Sequence, residues 1–341
     1  MVDAYQGGGD ILGSAITDSS GRYSIPGLAA EAYSVIASYT GLVPRIVHNV
    51  SVTSGGTTTV DLSLNFGIAI QSPVPGTTIN DFSVLVAGNF DTSLSPEMGI
   101  QVNGFLALQD ENEFTTIVPI DSQTSTLTAT ITDAAGNQLA ADVVPITPQV
   151  PSTEPYLTFQ PFPVIALAGQ HVSFTLTSLN QVSQIQLDGN GDGTIDFTGT
   201  TLTGASIAFA ESGLYYPTVT VTEVGGGLRT ATAIVQVLEM NQMDVLLRSK
   251  WTAMKNALRA GDTATAASYI VNGKRATYQN VFNNLTIPFA NIDQVLGDIS
   301  YIVQRGSNIE YEMTRIDSGT LIHYMVLFGL DEDGVWRIRF F

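Results

Sequence analysis

Short runs rich in Val, Ile and Thr recur along the first 240 residues, and Gly, Pro or Asn interrupts each of them. Runs of this kind, with apolar and polar positions alternating, are typical of strands that bury one face. A chain of 341 residues suits two to four domains rather than one small core. The pattern therefore predicts a mainly β protein built from several small modules.

The chain is acidic, and the acidity lies in one part of it. It has 13 Lys and Arg against 31 Asp and Glu, a net charge of −18. Residues 241–341 contain ten basic and ten acidic residues, which leaves three basic and 21 acidic residues in 1–240. A surface of this sign repels nucleic acid and anionic lipid and attracts divalent cations. We therefore expect no nucleic-acid partner.

The chain has no cysteine, which excludes disulfides, thiolate metal ligands and cysteine nucleophiles. It contains no signal peptide and no apolar run of about 18 residues. We expect a secreted or cell-surface protein of bacterial or archaeal type, without a membrane span, whose export signal lies outside this chain.

Residues 1–65 contain the series T-D-S-S-G-R-Y-S-I-P-G-L, followed by A-Y-S-V-I-A and V-D-L-S-L. The first series predicts two strands joined by a tight turn at Asp18 and Gly21. It resembles the carboxypeptidase regulatory-like (transthyretin-like) domain, a β-sandwich that serves as a folding and interaction unit and carries no peptidase chemistry. That family normally opens with one more strand, which is absent here. The resemblance therefore implies that residues 2–5 lie at an open edge.

Two further segments resemble other sandwich families. Residues 66–149 carry V-N-G, an Asn-Gly hairpin signal, and T-D-A-A-G-N, both similar to the bacterial immunoglobulin-like repeat. A linker with four prolines follows, between Pro145 and Pro155. Residues 150–240 contain G-L-Y-Y-P-T-V-T-V-T, which resembles a strand of the polycystic-kidney-disease (PKD) domain. In this chain L-D-G-N-G-D-G replaces that family's usual W-D-F-G-D-G.

Residues 241–341 change to helical periodicity. A first helix is predicted by apolar residues at spacings of three and four, namely Leu247, Trp251, Met254 and Leu258. Gly261 is suited to end that helix and Asp262 to cap the next one. A second stripe, Tyr278, Phe282 and Leu285, predicts a helix that ends before Pro288.

Three strands then follow, at residues 309–316, 321–330 and 335–341, with a turn at residues 331–334. Helices followed by a curved antiparallel sheet that ends in D-G-V-W-R-I resemble the cone-shaped family of ketosteroid isomerase and nuclear transport factor two. Alternation predicts an inward apolar set: Tyr311, Met313, Tyr324, Val326, Phe328, Trp336, Ile338 and Phe340. It predicts an outward set: Glu310, Glu312, His323, Arg337, Arg339 and Phe341.

Taken together, these patterns predict three tandem immunoglobulin-like or transthyretin-like β-sandwiches plus a C-terminal α+β cone, with helices packed on a curved antiparallel sheet. The expected domains are 1–65, 66–149, 150–240 and 241–341.

One loop has the residue pattern of a calcium site. Oxygen-bearing residues recur at alternate positions, with glycines where the chain must bend: Asp188, Asn190, Asp192, Thr194 and Asp196. Ca²⁺ takes six to eight oxygen ligands, so the loop predicts Ca²⁺ as cofactor. An EF-hand would need Glu where this loop has Gly199, so any site would be weak or completed from elsewhere. The alternative is an Asx-rich turn without metal.

The sequence indicates no catalytic residues. Glu310 and Glu312 share the outward face of a strand, and catalytic members of the cone family place an acid or His inside instead. His48 and His171 are isolated, and no Ser/His/Asp order, P-loop or dinucleotide-binding glycine pattern occurs. Residues 215–216, two tyrosines, suit either a sugar-stacking surface or a core.

We therefore expect a non-catalytic structural, adhesive or assembly protein with a protein or cell-surface partner. Outward Met325 and Leu327 predict self-association through the C-terminal domain. One alternative is an accessory region of a larger secreted enzyme or toxin. Another is small-ligand binding by the C-terminal domain, which would need a roomy polar cavity in the cone.

Overall fold

The computed structural model describes residues 1–6, 9–151, 157–285 and 289–341. Within these residues the chain forms seven sheets and a C-terminal helical region. The mainly β, multidomain fold class is confirmed. The chain divides into two compact units, Met1–Thr153 and Glu154–Phe341. In the described ranges, no helix is long and apolar enough to cross a membrane.

The first module of the first unit is a single four-stranded sheet in the order β2-β1-β3-β4. Its strands are β1 (Val2–Gln6), β2 (Asp10–Ala15), β3 (Ala32–Ala37) and β4 (Arg45–Ser51). Val2 pairs with Ala15 on one side and with Ala37 on the other, so β1 lies inside the sheet. The prediction that residues 2–5 form an open edge is therefore wrong, and β2 and β4 are the edges.

The tight turn predicted in this module forms. The Gly21 N–H donates to the Asp18 carbonyl at 3.0 Å, and Asp18 Oδ1 accepts the Arg22 N–H at 2.9 Å. The strands predicted around it do not form, because residues 16–31 and 52–64 belong to no strand. A turn needs only local contacts, whereas a strand needs a neighbour.

The second module is a two-sheet sandwich with sheet orders β10-β11-β7-β5 and β6-β13-β12-β8-β9. Its strands are β5 (Ile68–Ser72), β6 (Thr77–Ile79), β7 (Ser83–Phe90), β8 (Met98–Val102), β9 (Phe105–Leu106), β10 (Leu108–Asp110), β11 (Glu113–Pro119), β12 (Thr126–Asp133) and β13 (Gln138–Pro148). The predicted Asn-Gly hairpin joins β8 to β9, with φ of 50° at Asn103 and 82° at Gly104. Positive φ at both positions is what a type I′ turn requires.

The proline-rich linker is shorter than predicted. Pro145 and Pro148 belong to β13, which pairs antiparallel with β12 up to Pro145 and parallel with β6 from Ile146 onward. A proline cannot donate to a ladder but its carbonyl still accepts, and the Pro145 carbonyl takes the Gly76 N–H at 2.8 Å. Residues 152–155 of the predicted linker lie outside the described residues.

The third module, in the second unit, has three small sheets: β14-β16-β19, β15-β23-β20 and β18-β17-β21-β22. Its strands are β14 (Leu157–Phe162), β15 (Ile165–Leu167), β16 (His171–Ser178), β17 (Val182–Asp188), β18 (Phe197–Gly199), β19 (Ser206–Ala208), β20 (Gly213–Tyr215), β21 (Thr218–Glu223), β22 (Leu228–Thr232) and β23 (Val235–Leu238). The run predicted as one strand is split at Pro217, so β20 and β21 join different sheets. Tyr215 packs against Phe209, with ring centroids 4.5 Å apart, beside the core.

The helices of the fourth module are α1 (Met240–Arg259), α2 (Thr263–Ser268) and α3 (Arg275–Asn283). The predicted helix signals are confirmed: Gly261 has a φ of 74° after α1, and the Asp262 side chain accepts the Thr265 N–H at 2.9 Å at the start of α2. The predicted stripe of α1 is at most 1% exposed at Leu247, Trp251, Met254 and Leu258. Pro288 lies outside the described residues.

The sheet of the fourth module has the order β24-β25-β26-β27. Its strands are β24 (Ile299–Arg305), β25 (Asn308–Asp317), β26 (Thr320–Leu330) and β27 (Trp336–Phe340). Tyr311, Val326, Phe328 and Ile338 are fully buried, which agrees with the predicted inward set at these positions.

The predicted faces of Phe340 and Phe341 are wrong, because β27 contains a β-bulge. Phe328 pairs with Ile338, but Leu327 pairs with Phe340, so Arg339 is an extra residue in β27. The extra residue reverses the alternation after it. Phe340 is consequently 45% exposed on the outer face, whereas Phe341, predicted outward, contacts the rings of Trp251, Tyr278 and Phe282.

Candidate functional site

The predicted calcium loop connects β17 to β18 at one end of the third module. Asp188 is the last residue of β17 and is buried, whereas Asp192 and Asp196 are exposed. Gly191 has a φ of 80°, and a Cβ there would lie 2.7 Å from the Tyr216 carbonyl oxygen. The loop can take this shape only with glycine at that position.

The carboxylates of this loop bind its own backbone. Asp188 accepts N–H groups from Gly191 at 2.7 Å and from Gly193 at 2.7 Å. Asp196 accepts the Gly189 N–H at 2.7 Å. The pKa of Asp192 is lowered, first by its hydrogen bond with Asn190 and then by the Thr194 N–H.

These contacts are those of an Asx-rich turn. Among the described residues, no cluster of three or more His, Asp or Glu side chains is placed to hold a metal ion. A Ca²⁺ ion would share the Asp188 carboxylate with these backbone N–H groups.

One acid, Asp244, reaches the side of the C-terminal sheet that faces the helices, which the sequence did not predict. The Tyr311 hydroxyl donates to Asp244 Oδ1 at 2.9 Å, and Arg248 Nε donates to the same carboxylate at 2.8 Å. Burial, and then the hydrogen bond to Asp244, raises the pKa of Tyr311. Asp244 lies on α1, and its (i, i+4) spacing to Arg248 was the available sequence signal. Because the carboxylate has both partners, the group acts as a link between α1 and the sheet.

Side chains fill the space between α1 and the C-terminal sheet. Trp251, Tyr311 and Phe328 are at most 1% exposed, and Trp336 is 7% exposed. Tyr324 instead donates to Asp317 at 2.7 Å near the end of β26. This packing gives no support to the small-ligand alternative.

The prediction that Arg337 lies on the outer face is wrong. Arg337 is 1% exposed and lies between Asp331 Oδ2 at 2.8 Å and Asp333 Oδ1 at 2.6 Å. Its pKa is raised: burial opposes the charged form, and the hydrogen bonds and charges of the two aspartates outweigh that effect. The cluster ties β27 to the β26–β27 turn.

The outer face of the C-terminal sheet carries exposed apolar side chains. Leu321 is 55%, Met325 45% and Phe340 45% exposed, and Leu327 lies between them. His323 Nδ1 lies 2.7 Å from Glu312 Oε1 on the same face. Met325 and Leu327 lie on this face, as predicted.

A buried polar clamp joins the first and second modules. Asp142 of β13 accepts the Ile70 N–H at 2.8 Å and the side-chain amide of Asn65. Arg45, at the start of β4, is 7% exposed, donates to the Ile70 carbonyl and lies 4.0 Å from Asp142. Burial lowers the pKa of Arg45, and the charge of Asp142 counteracts this. The contacting pairs lie 25 to 97 positions apart, so no sequence motif indicated the clamp.

A second clamp joins the third and fourth modules. Gln304 of β24 is 7% exposed; its Oε1 accepts the Leu167 N–H at 2.8 Å, and its Nε2 donates to the Ile165 carbonyl at 2.6 Å. Only Glu239 separates β23 from α1. The two modules of the second unit are therefore joined by a one-residue connection and a buried side chain.

Comparison with known families identifies one module. Residues 2–65 match the family model of the carboxypeptidase regulatory-like domain. No curated protein matches the chain. The match covers the first module alone, and it confirms the first of the resemblances drawn from sequence.

Several solved structures of tandem sandwich modules align with about half of the chain. Fibronectin(III)-like modules of CbhA from Clostridium thermocellum are 13% identical over 51% of this chain and 95% of theirs, with a TM-score of 0.20. Titin domains Z1Z2, solved in complex with telethonin, are 13% identical over 51% of this chain and 98% of theirs, with a TM-score of 0.19. The D00-D0 domain of intimin is 13% identical over 50% of this chain and 99% of its own, with a TM-score of 0.18. TM-scores this low carry no argument about fold or function.

Proposed function

We propose that this chain is a non-catalytic structural and assembly segment of an extracellular or cell-surface protein. The observation that carries the proposal is the pair of buried clamps, Arg45 with Asp142 and Gln304 with Leu167. Side chains that satisfy buried backbone groups across a module boundary fix the modules against each other. A stalk or an adhesive arm needs such fixed joints between consecutive modules.

We also propose a domain family for each of the other three modules. The second module is proposed as a bacterial immunoglobulin-like sandwich, the third as a PKD-like sandwich and the fourth as a cone of the ketosteroid isomerase type, with boundaries near residues 65, 149 and 240. The regulatory-like match of residues 2–65 supports an interaction role at the N-terminal end. An accessory region of a larger secreted enzyme or toxin would use the same joints.

The proposal is tested by ¹⁵N relaxation of the full chain. Each unit is expected to show one rotational correlation time shared by its two modules. Separate correlation times for residues 9–65 and 66–151, or for 157–238 and 240–341, would contradict a role that depends on fixed joints. Arg45→Ala is expected to separate the first pair, whereas Arg22→Ala, in an exposed turn, serves as the control.

A further inference from the structure

The third module contains a cavity of about 630 Å³. It lies between the C-terminal half of β16, the start of β17 and the connection from β18 to β19. Small-molecule sites in proteins typically occupy about 300–1,000 Å³, so this space is large enough for a ligand. Neither of the two tyrosines at residues 215–216 lines it, so the cavity is separate from the sugar-stacking surface considered in the sequence analysis.

The cavity lies where two strands lose their neighbours. β19 pairs with β16 only at residues 171–173, and β18 pairs with β17 only at residues 185–187. In the described part of the chain, no strand pairs with residues 174–178 or 182–184 on those sides. The backbone N–H and C=O groups that point from these edges into the cavity are therefore available to a bound molecule.

The floor of the cavity is apolar and belongs to the core of the module. Its fully buried members are each at most 6% exposed: Phe174, Ile185, Leu202 and Ala205. A polar group of a ligand placed against this floor would lose its hydrogen bonds with water and find no partner. A ligand that fills the cavity must therefore turn an apolar face toward the core.

The rest of the lining is polar and uncharged. Five of its side chains make no hydrogen bond to another protein group within the described ranges: Ser178, Asn180, Thr200, Thr201 and Thr203. Hydroxyl and amide groups can each donate and accept a hydrogen bond. Among the described residues that line the cavity, none is charged, so no counter-charge there would offset the desolvation of an ionic ligand.

We propose that this cavity binds an uncharged saccharide of one or two rings. A pyranose ring has C–H groups on its faces and hydroxyls around its edge, so one face packs on Phe174 and Ile185 while the hydroxyls bond to the threonines and to the backbone of β16. The third module is then a carbohydrate-binding unit as well as a structural one. The inference goes beyond the proposed function and does not depend on the clamps.

The test uses the ¹⁵N-labelled full chain with neutral disaccharides at millimolar concentration: cellobiose, maltose, lactose and N,N′-diacetylchitobiose. At least one of them is expected to shift the amide resonances of residues 173–178 and 200–206 in a saturable manner. Sorbitol has comparable hydroxyls but no ring face, and glucuronate has a ring that carries a negative charge. Neither of these two compounds is expected to shift the same resonances.

A matched pair of variants assigns the binding to the cavity. Replacing Thr200, Thr201 and Thr203 together by valine keeps the side-chain shape and removes three hydroxyls, and it is expected to weaken binding by about tenfold or more. Thr198→Val, at an exposed position of β18 outside the cavity, is expected to retain the affinity. Amide resonances of the other strands, unchanged in both variants, show that the module stays folded.

Three results would overturn the proposal. The first is that none of the disaccharides shifts these resonances, the second is that the shifts map outside the cavity, and the third is that the valine variant binds as tightly as the unmodified chain. An uncharged peptide of alternating valine and threonine provides a further comparison. Shifts caused by this peptide and by no saccharide would assign the cavity to a peptide strand instead.

Discussion

The side chain of Gln304 occupies the position of a neighbouring strand beside Leu167. Its carbonyl oxygen accepts the Leu167 N–H at 2.8 Å, and its amide donates to the Ile165 carbonyl at 2.6 Å. The other side of β15 pairs with β23. One amide side chain of the fourth module therefore satisfies the free side of a strand in the third.

Replacing this amide is expected to weaken the joint. Gln304→Ala leaves the Leu167 N–H and the Ile165 carbonyl buried without these partners, a cost of about 1–3 kcal/mol. Urea unfolding of the full chain, followed by tryptophan fluorescence, measures it, since both tryptophans lie in the fourth module. Gln242→Ala, at an exposed position of α1, is the control. Equal midpoints for the two variants would show that the clamp adds nothing.

Breaking the clamp between Arg45 and Asp142 is expected to destabilise the protein more than breaking the Gln304 clamp. Asp142→Ala leaves Arg45 buried without its counter-charge and the Ile70 N–H without its acceptor, which costs about 3 kcal/mol. Glu113→Ala removes the same charge from an exposed position of the second module and is expected to change stability by less than about 0.5 kcal/mol. Differential scanning calorimetry of the first unit's transition in the full chain distinguishes the two.

Calcium binding by the Asp188 loop stays a prediction. Because Asp188 and Asp196 bind backbone amides, we expect weak binding, detectable by titration calorimetry at millimolar Ca²⁺. Asp192→Ala is expected to reduce the heat, and Asp121→Ala, in a separate Asx turn, is expected to leave it unchanged. Absence of heat in the unmodified chain at millimolar Ca²⁺ would leave the turn without a metal role.

Acid is expected to weaken the fourth module through Asp293. Its hydrogen bonds with Arg259 and then with Lys255 lower its pKa to about 2, below the value of about 3.9 in an unfolded chain. The folded state binds fewer protons here, so the contribution is present above about pH 4 and disappears as pH falls toward 2. Asp293→Asn is expected to flatten the pH dependence of stability in that window. An unchanged slope, equal to that of Asp61→Asn, would contradict this.

The outer face of the C-terminal sheet is expected to mediate self-association. A patch containing Met325, Leu327 and Phe340 is suited to packing against a second copy, and a stable dimer buries about 800 Å² per partner. Light scattering of the full chain at high micromolar concentration is expected to show a dimer that Met325→Asp dissociates. Val245→Asp, at an exposed apolar position of α1, is the control. A strict monomer that neither change affects would refute the dimer.

Local signals predicted the local structure of this chain well. The Asn103-Gly104 hairpin, the Asp262 cap and the apolar stripe of α1 all form as expected, because each depends on residues within a few positions of one another. Prediction failed where one residue alters the register. The bulge at Arg339 exchanges the faces of Phe340 and Phe341, and alternation alone gives no sign of it.

Residue order alone predicts a mainly β chain of small modules with a helical C-terminal part, because the spacing of apolar residues differs between strands and helices. The joints between the modules become visible only in the folded chain. The contacts of Arg45 with Asp142 and of Gln304 with Leu167 span 97 and 137 positions, and a polar residue's partner at such separation follows from packing rather than from pattern. Residues 22–25 and 57–64 likewise form no strand, because an alternating run becomes a strand only where a neighbouring strand offers it hydrogen bonds.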